Sequence, residues 1–189
     1  MITKKMFFIV LALLITGTVY AQDFKANAEK TELKWTGKKV AGQHHGHIKL
    51  TDGMLTIKDN KLANGTFNID MKSITNDDLA DAGYNQKLIG HLKSDDFFGV
   101  EKFPVASLAI TESSVFVNNQ AEVKGKLIIK GITNSISFTV TRNGNVYTAS
   151  IPVDRSKFDV RYGSGSFFEN LGDKVIDDIF TLDVSLVVE

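Results

Sequence analysis

Phe180-Thr181-Leu182-Asp183-Val184-Ser185-Leu186-Val187-Val188, at the end of the chain, decides the fold class. Successive side chains of a strand point to opposite faces. Phe180, Leu182, Val184, Leu186 and Val188 therefore share one face, and Thr181, Asp183 and Ser185 occupy the other. The same period of two recurs upstream. Leu33, Trp35 and Gly37 oppose Glu32, Lys34 and Thr36, while Gly46, Ile48 and Leu50 oppose His45, His47, Lys49 and Thr51. Phe67, Ile69 and Met71 oppose Thr66, Asn68 and Asp70; Val123, Leu127 and Ile129 oppose Lys124, Lys126 and Lys130. Ile136, Phe138 and Val140 oppose Ser137, Thr139 and Thr141, and Tyr147, Ala149, Ile151 and Val153 oppose Thr148 and Ser150.

Asp59-Asn60, Asn118-Asn119 and Asn143-Gly144 stand between runs and accept the positive backbone angles of tight hairpins. The chain reads as a meander of roughly eight short antiparallel strands, all-β, each with one apolar face. No Gly/Pro/Ser-rich linker divides it and no internal repeat stands out, so residues 22–189 form one domain. Such strands must close into a barrel or pack as a sandwich, and periodicity does not choose between the two.

One stretch breaks the pattern: Leu88-Ile89-Gly90-His91-Leu92-Lys93-Ser94-Asp95-Asp96-Phe97-Phe98-Gly99-Val100-Glu101-Lys102-Phe103-Pro104. Leu88 and Leu92 lie one helical turn apart and share a face with Ile89. Ser94 and Asp95 suit the N-cap of a further short turn carrying Phe97 and Phe98, and Pro104 restarts extended chain. A Leu- and Phe-rich helical piece inside a β-chain reads as a cap over an apolar interior.

Residues 1–21 read as a cleavable export signal. Lys4 and Lys5 form a basic start, Met6 to Ile15 an apolar run, and Val19-Tyr20-Ala21 a peptidase site. The run falls short of the ~20 residues that a membrane span needs. Cleavage leaves 20 Lys and Arg against 22 Asp and Glu, a net charge near −2. That balance lacks the basic footprint of nucleic-acid binding. The chain has no cysteine, which excludes disulfides, thiol catalysis and zinc–cysteine sites. The expectation is a periplasmic or secreted protein held together by its core alone.

Several motifs arrive in one order. They are Gly65-Thr66-Phe67-Asn68-Ile69-Asp70-Met71-Lys72-Ser73-Ile74, then His91-Leu92-Lys93-Ser94-Asp95-Asp96-Phe97-Phe98 with Lys102-Phe103-Pro104. Leu127-Ile128-Ile129-Lys130-Gly131-Ile132-Thr133-Asn134-Ser135-Ile136-Ser137-Phe138-Thr139-Val140 follows. Val153-Asp154-Arg155-Ser156-Lys157-Phe158-Asp159-Val160-Arg161-Tyr162-Gly163 and Gly172-Asp173 complete the series. Together they resemble the YceI family, lipocalin-like periplasmic proteins of bacteria, over about the whole mature chain. The resemblance implies an eight-stranded antiparallel lipocalin-like barrel with a short helical cap segment near one opening. It also implies a long isoprenoid held in an apolar tunnel, since characterised relatives bind polyprenyl phosphates or isoprenoid quinones. One position departs from the family pattern: Asp159 stands where a Gly is frequent, and its side chain is expected to narrow or polarise the wall.

A prenyl tail gains only dispersion and hydrophobic burial, about 25 cal/mol per Å², so its pocket needs many apolar contacts and few polar ones. The candidate lining is Trp35, Ile48, Leu50, Phe67, Ile69, Leu127, Ile129, Ile136, Phe138, Val184 and Leu186, with Leu88, Leu92, Phe97 and Phe98 over one end. Core filling is the competing role for each.

His44-His45-Gly46-His47 offers a different chemistry. His45 and His47 share a strand face, a spacing that suits two imidazoles on one metal, with His91 as a third ligand if the helix folds over. Exposed strand histidines are the plainer reading, and no recognised metalloenzyme motif accompanies them. A partly charged imidazole there could instead meet a phosphate head group. Asp77, Asp78 and Asp81 read as a solvated helix start, and Gly163-Ser164-Gly165-Ser166 as a flexible loop. Arg155 and Arg161 read as surface salt-bridge residues, with head-group contact as the alternative. No nucleophile elbow or Ser-His-Asp order appears. The expectation is a non-enzymatic carrier or store of an isoprenoid or other long apolar molecule, with no metal, cofactor or nucleic acid. A metal-binding or enzymatic barrel using residues 44–47, and a ligand-free interaction domain, are the alternatives. A homodimer is left open.

Overall fold

The computed structural model describes residues 20–189, so the export signal read over 1–21 lies outside the described residues apart from Tyr20 and Ala21. The strands are β1 (Gln22–Lys25), β2 (Glu32–Lys39), β3 (Gly42–Lys58), β4 (Lys61–Asp70) and β5 (Val105–Ser113). They continue as β6 (Gln120–Ile129), β7 (Ile132–Asn143), β8 (Val146–Asp154) and β9 (Ile179–Val187), with one α-helix among the described residues, α1 (Ala82–Lys93), between β4 and β5. All pairings are antiparallel. Each strand from β3 to β9 pairs with the next, and β2 joins β3 to β9, closing an eight-stranded barrel. β1 is an extra strand beside the second half of β3. Its edge continues to the chain end, where Lys25 and Glu189 exchange backbone hydrogen bonds at 2.9 Å.

Closure rather than a sandwich follows from β3. This 17-residue strand pairs with β2 through its first half and with β1 through its second, and its register against β4 shifts between Leu50 and Asp52. A bulge adds twist and bends the strand around the barrel. It also flips the inward parity: Gly46 and Leu50 are buried before it, Gly53, Leu55 and Ile57 after it. The alternation read from the sequence stops at Thr51 for this reason.

The Asp59-Asn60 and Asn118-Asn119 turns take positive φ at both residues, and Gly144 does so in the β7–β8 hairpin. Lys130-Gly131 turns β6 into β7 with φ of 51° and 74°, a hairpin hidden inside a long apolar run. Ser94 is not an N-cap. It closes the C-terminus of α1, where its N–H and hydroxyl both donate to the His91 carbonyl. Its own carbonyl accepts from Phe97 and Gly99. The N-cap of α1 is Asp81, whose carboxylate accepts from the Tyr84 N–H at 2.9 Å.

Candidate ligand-binding site

The barrel holds two adjoining apolar cavities. One, of about 110 Å³, lies under the α1 end and is bounded by Trp35, Ile48, Leu92, Phe97, Phe98, Ile129 and Phe180. The other, of about 80 Å³, lies toward the opposite end among Leu50, Phe67, Ile136, Phe138, Tyr147, Val184 and Leu186. Ile69, Leu127, Val153 and Leu182 border both and form the waist between them. Beyond the lower cavity the rings of Phe116 and Tyr147 lie 6.4 Å apart, and the Arg142 guanidinium lies 5.7 Å from the Tyr147 ring centre. Burial pushes the Tyr147 hydroxyl above its usual range, against the pull of the Arg142 cation.

Fourteen of the fifteen residues read as lining border one or both cavities; Leu88 borders neither. It is half-buried against the core, because α1 meets the barrel mainly through its last turn, where Leu92 is buried. Phe97 and Phe98 pack edge-on at 5.0 Å, and Phe98 reaches Phe180 at 6.3 Å. Leu55, Leu62 and Ile110 also face the lower cavity. Leu55 lies past the bulge in β3, Leu62 lies before a second register irregularity in β4, and Ile110 lies on β5, so none falls in the alternating runs read from the sequence. Leu33, Tyr147, Val153 and Leu182 were legible, since they follow the same alternation as the chosen residues.

Arg155 overturns its surface reading. It is 2% exposed and borders the upper cavity. Its Nε donates to the Asp177 carbonyl, Nη1 to those of Val160 and Tyr162, and Nη2 to that of Ile176, all within 2.8–3.0 Å. Nη2 also lies 3.3 Å from the Asp178 carboxylate. Burial pulls the guanidinium below its usual range, and Asp178, Asp154 and Asp177 oppose that pull. With four of its five N–H groups donating to backbone carbonyls and Nη2 beside the Asp178 carboxylate, Arg155 ties residues 160–178 to the barrel end.

Two of the three clustered histidines are likewise committed, while the His45 ring lies 3.9 Å from Asp78. His44 Nδ1 meets the Asp78 carboxylate at 2.7 Å, and His47 Nδ1 meets that of Asp77 at 2.6 Å. Asp77 and Asp78 are therefore not a solvated helix start; they fasten the segment before α1 to β3. Burial raises the Asp78 pKa, but hydrogen bonds from the His45 N–H, the His44 ring and the Asn76 amide outweigh it and lower it to about 2. His91 stands apart from this group, its ring 4.2 Å from Tyr162 and 5.7 Å from Phe97. Among the described residues, no three His, Asp or Glu side chains converge in a metal-holding group.

Residues 24–188 match the YceI-like domain. The chain belongs to the YceI-like family. A UPF0312 protein of Pseudomonas putida (strain W619) is 28% identical over 136 residues, 70% of this chain and 68% of that protein. The YceI-like barrel superposes on the crystal structure of Burkholderia cenocepacia BcnA with a TM-score of 0.67 and 24% identity, covering 87% of this chain and 99% of that one. It superposes on a polyisoprenoid binding domain from Saccharophagus degradans, implicated in plant cell wall breakdown, with a TM-score of 0.58 and 14% identity. That match covers 88% of this chain and 97% of the other. These two likenesses concern the fold.

The backbone at Asp159 suits the glycine expected there from the resemblance. Asp159 has φ 58°, ψ 33°, the left-handed region that glycine enters without cost, and it closes the short turn Arg155–Phe158. Its carboxylate pairs with Arg161 on the surface and borders neither cavity. The expected narrowing of the wall is not found. Residues 163–166 are also tied down: Ser164 is fully buried, and its carbonyl accepts from the N–H groups of Phe167 and Phe168.

Proposed function

We propose that this chain is a non-enzymatic, exported protein that carries or stores a long apolar molecule of isoprenoid type. The observation that carries the reading is the pair of adjoining cavities, whose exposed lining is almost wholly apolar. Such a surface rewards hydrocarbon and offers a polar substrate almost nothing. Neither cavity exceeds the roughly 150 Å³ that accommodates a benzene-sized molecule. A thin, flexible chain threaded past the waist uses both, whereas a rigid, broad ligand uses neither. The likeness in fold to a polyisoprenoid binding domain supports the same class of ligand. Among the described residues the cation bordering these cavities is Arg155, which is held by backbone carbonyls, so a head group stays outside the barrel.

Native mass spectrometry of the protein purified from the exported fraction, with organic extraction of any adduct, tests the reading. A non-covalent apolar adduct is expected, on a chain that begins at Gln22. A ligand-free protein that takes up no prenyl alcohol or quinone when offered one sinks it.

A further inference from the structure

The wall of the barrel is not equally stitched. The β6–β7 ladder has ten register pairs and the β8–β9 ladder has nine. The β7–β8 ladder has three, Thr141↔Thr148, Arg142↔Tyr147 and Asn143↔Val146, all beside the hairpin turn. From residue 140 back to 132, and from 149 on to 154, the facing edges of the two strands carry no ladder. Unpaired strand edges are costly to leave among apolar groups, and natural sheets mark them with residues that resist pairing. Pro152 is such a mark. It pairs in register with Thr181 of β9 and has no N–H to give, so its nitrogen must point away from β9, toward β7. A proline at that position stops the seam from zipping further.

The seam also lies against the cavity. Ile136 and Phe138 on one side and Ala149 and Ile151 on the other border the lower space. Both ends of the barrel are stoppered: Leu92, Phe97, Phe98 and the engaged Arg155 fill the α1 end, and Phe116 and Tyr147 the other. We propose that the β7–β8 seam is the side portal through which an apolar chain enters and leaves the barrel. The inference rests on the proposed function above. Parting these strands breaks no backbone hydrogen bonds over most of their length, whereas any other wall must lose a ladder. A chain entering sideways can leave its polar end at the seam, where Thr139 and Ser150 are exposed.

The absence of cysteine makes the test clean. Extending the hairpin register places Thr139 opposite Ser150, so a Thr139→Cys, Ser150→Cys double variant bridges the seam on oxidation. Should the Cα atoms lie beyond the ~7 Å that a disulfide spans, a short bis-maleimide joins the same thiols. A Lys126→Cys, Ser135→Cys pair bridges the fully laddered β6–β7 wall as the control. Stopped-flow uptake of a fluorescent polyene fatty alcohol is the readout. Bridging the seam should slow uptake on the order of tenfold or more, reversibly on reduction for the disulfide, while bridging the control pair leaves it unchanged. Equal rates with the seam open and bridged overturn the portal and leave the proposed function standing. No uptake by the unbridged protein overturns the proposed function itself, and the portal with it.

Discussion

The Trp35 indole N–H donates to the Thr75 carbonyl at 3.0 Å, reaching over a strand position that has no side chain. That position is Gly46, the register partner of Trp35 on β3. A Cβ built there would lie 2.0 Å from the Thr75 oxygen. The missing atom thus lets residues 75–76 lie flat on β3, where the Thr75 N–H also bonds the His47 carbonyl at 2.9 Å. Gly46→Ala should destabilise the barrel by about 3 kcal/mol, because backbone rather than a flexible side chain must move. Chemical denaturation would show a lower midpoint. An unchanged midpoint would mean that the segment yields freely.

Asp78 should give the protein an acid-side signature. Its pKa is lowered from 3.8 to about 2. A depressed carboxyl stabilises the fold above its unfolded value, and that contribution is lost as pH falls through the folded value. The window therefore runs from about pH 4 down to about pH 2, and because Asp78 is largely exposed its size is screened to about 1 kcal/mol or less. Asp78→Asn should flatten the slope of stability against pH in that window. Urea titrations at stepped pH would reveal it.

Arg155→Lys should behave as a severe change despite keeping the charge. A lysine cannot reproduce the fork that now meets the Val160, Tyr162, Ile176 and Asp177 carbonyls. Several of these acceptors would lose their partner, a loss of about 3 kcal/mol or more. Hydrogen exchange should quicken first in residues 160–178, ahead of the barrel strands.

Leu127 borders both cavities, so Leu127→Ala should join them. The variant should lose about 2–5 kcal/mol of stability, as large-to-small core changes do, and regain part of it when a small apolar ligand such as benzene fills the space. A melting temperature that does not rise with benzene would show that the waist had collapsed.

Asp159→Gly should stabilise the protein by about 0.5–1 kcal/mol. Glycine relieves the positive φ, and the surface pair with Arg161 that is lost is worth little. Thermal melts would register the gain, with ligand uptake unaltered.

Much of the site was legible because its side chains obey one local rule. Trp35, Ile69, Phe138, Val184 and their fellows follow strand parity, and parity along a strand decides which face a residue occupies. The misreadings share the opposite cause. Arg155 looks like a surface cation until the carbonyls of residues 160, 162, 176 and 177 are brought around it, and those lie up to 22 positions away. Asp77 and Asp78 look like helix dressing until β3 delivers His44 and His47 from about thirty residues upstream. Leu88 shares a helical face with Leu92, yet only one of them reaches a cavity, because the tilt of α1 is set by what its last turn packs against.

The apolar face of Phe180, Leu182, Val184, Leu186 and Val188 was a property of the sequence by itself, and so were the hairpin turns at Asp59-Asn60 and Asn118-Asn119. Side-chain alternation and left-handed backbone preference act within a few residues and need no distant partner. Closure into a barrel, the waist at Leu127 and the half-stitched β7–β8 wall belong to the tertiary structure. They depend on register between strands far apart in sequence and on a bulge at residues 50–52 that bends one long strand across two neighbours. Ladder hydrogen bonds are the same chemistry at every position, and only the assembled sheet decides where they stop.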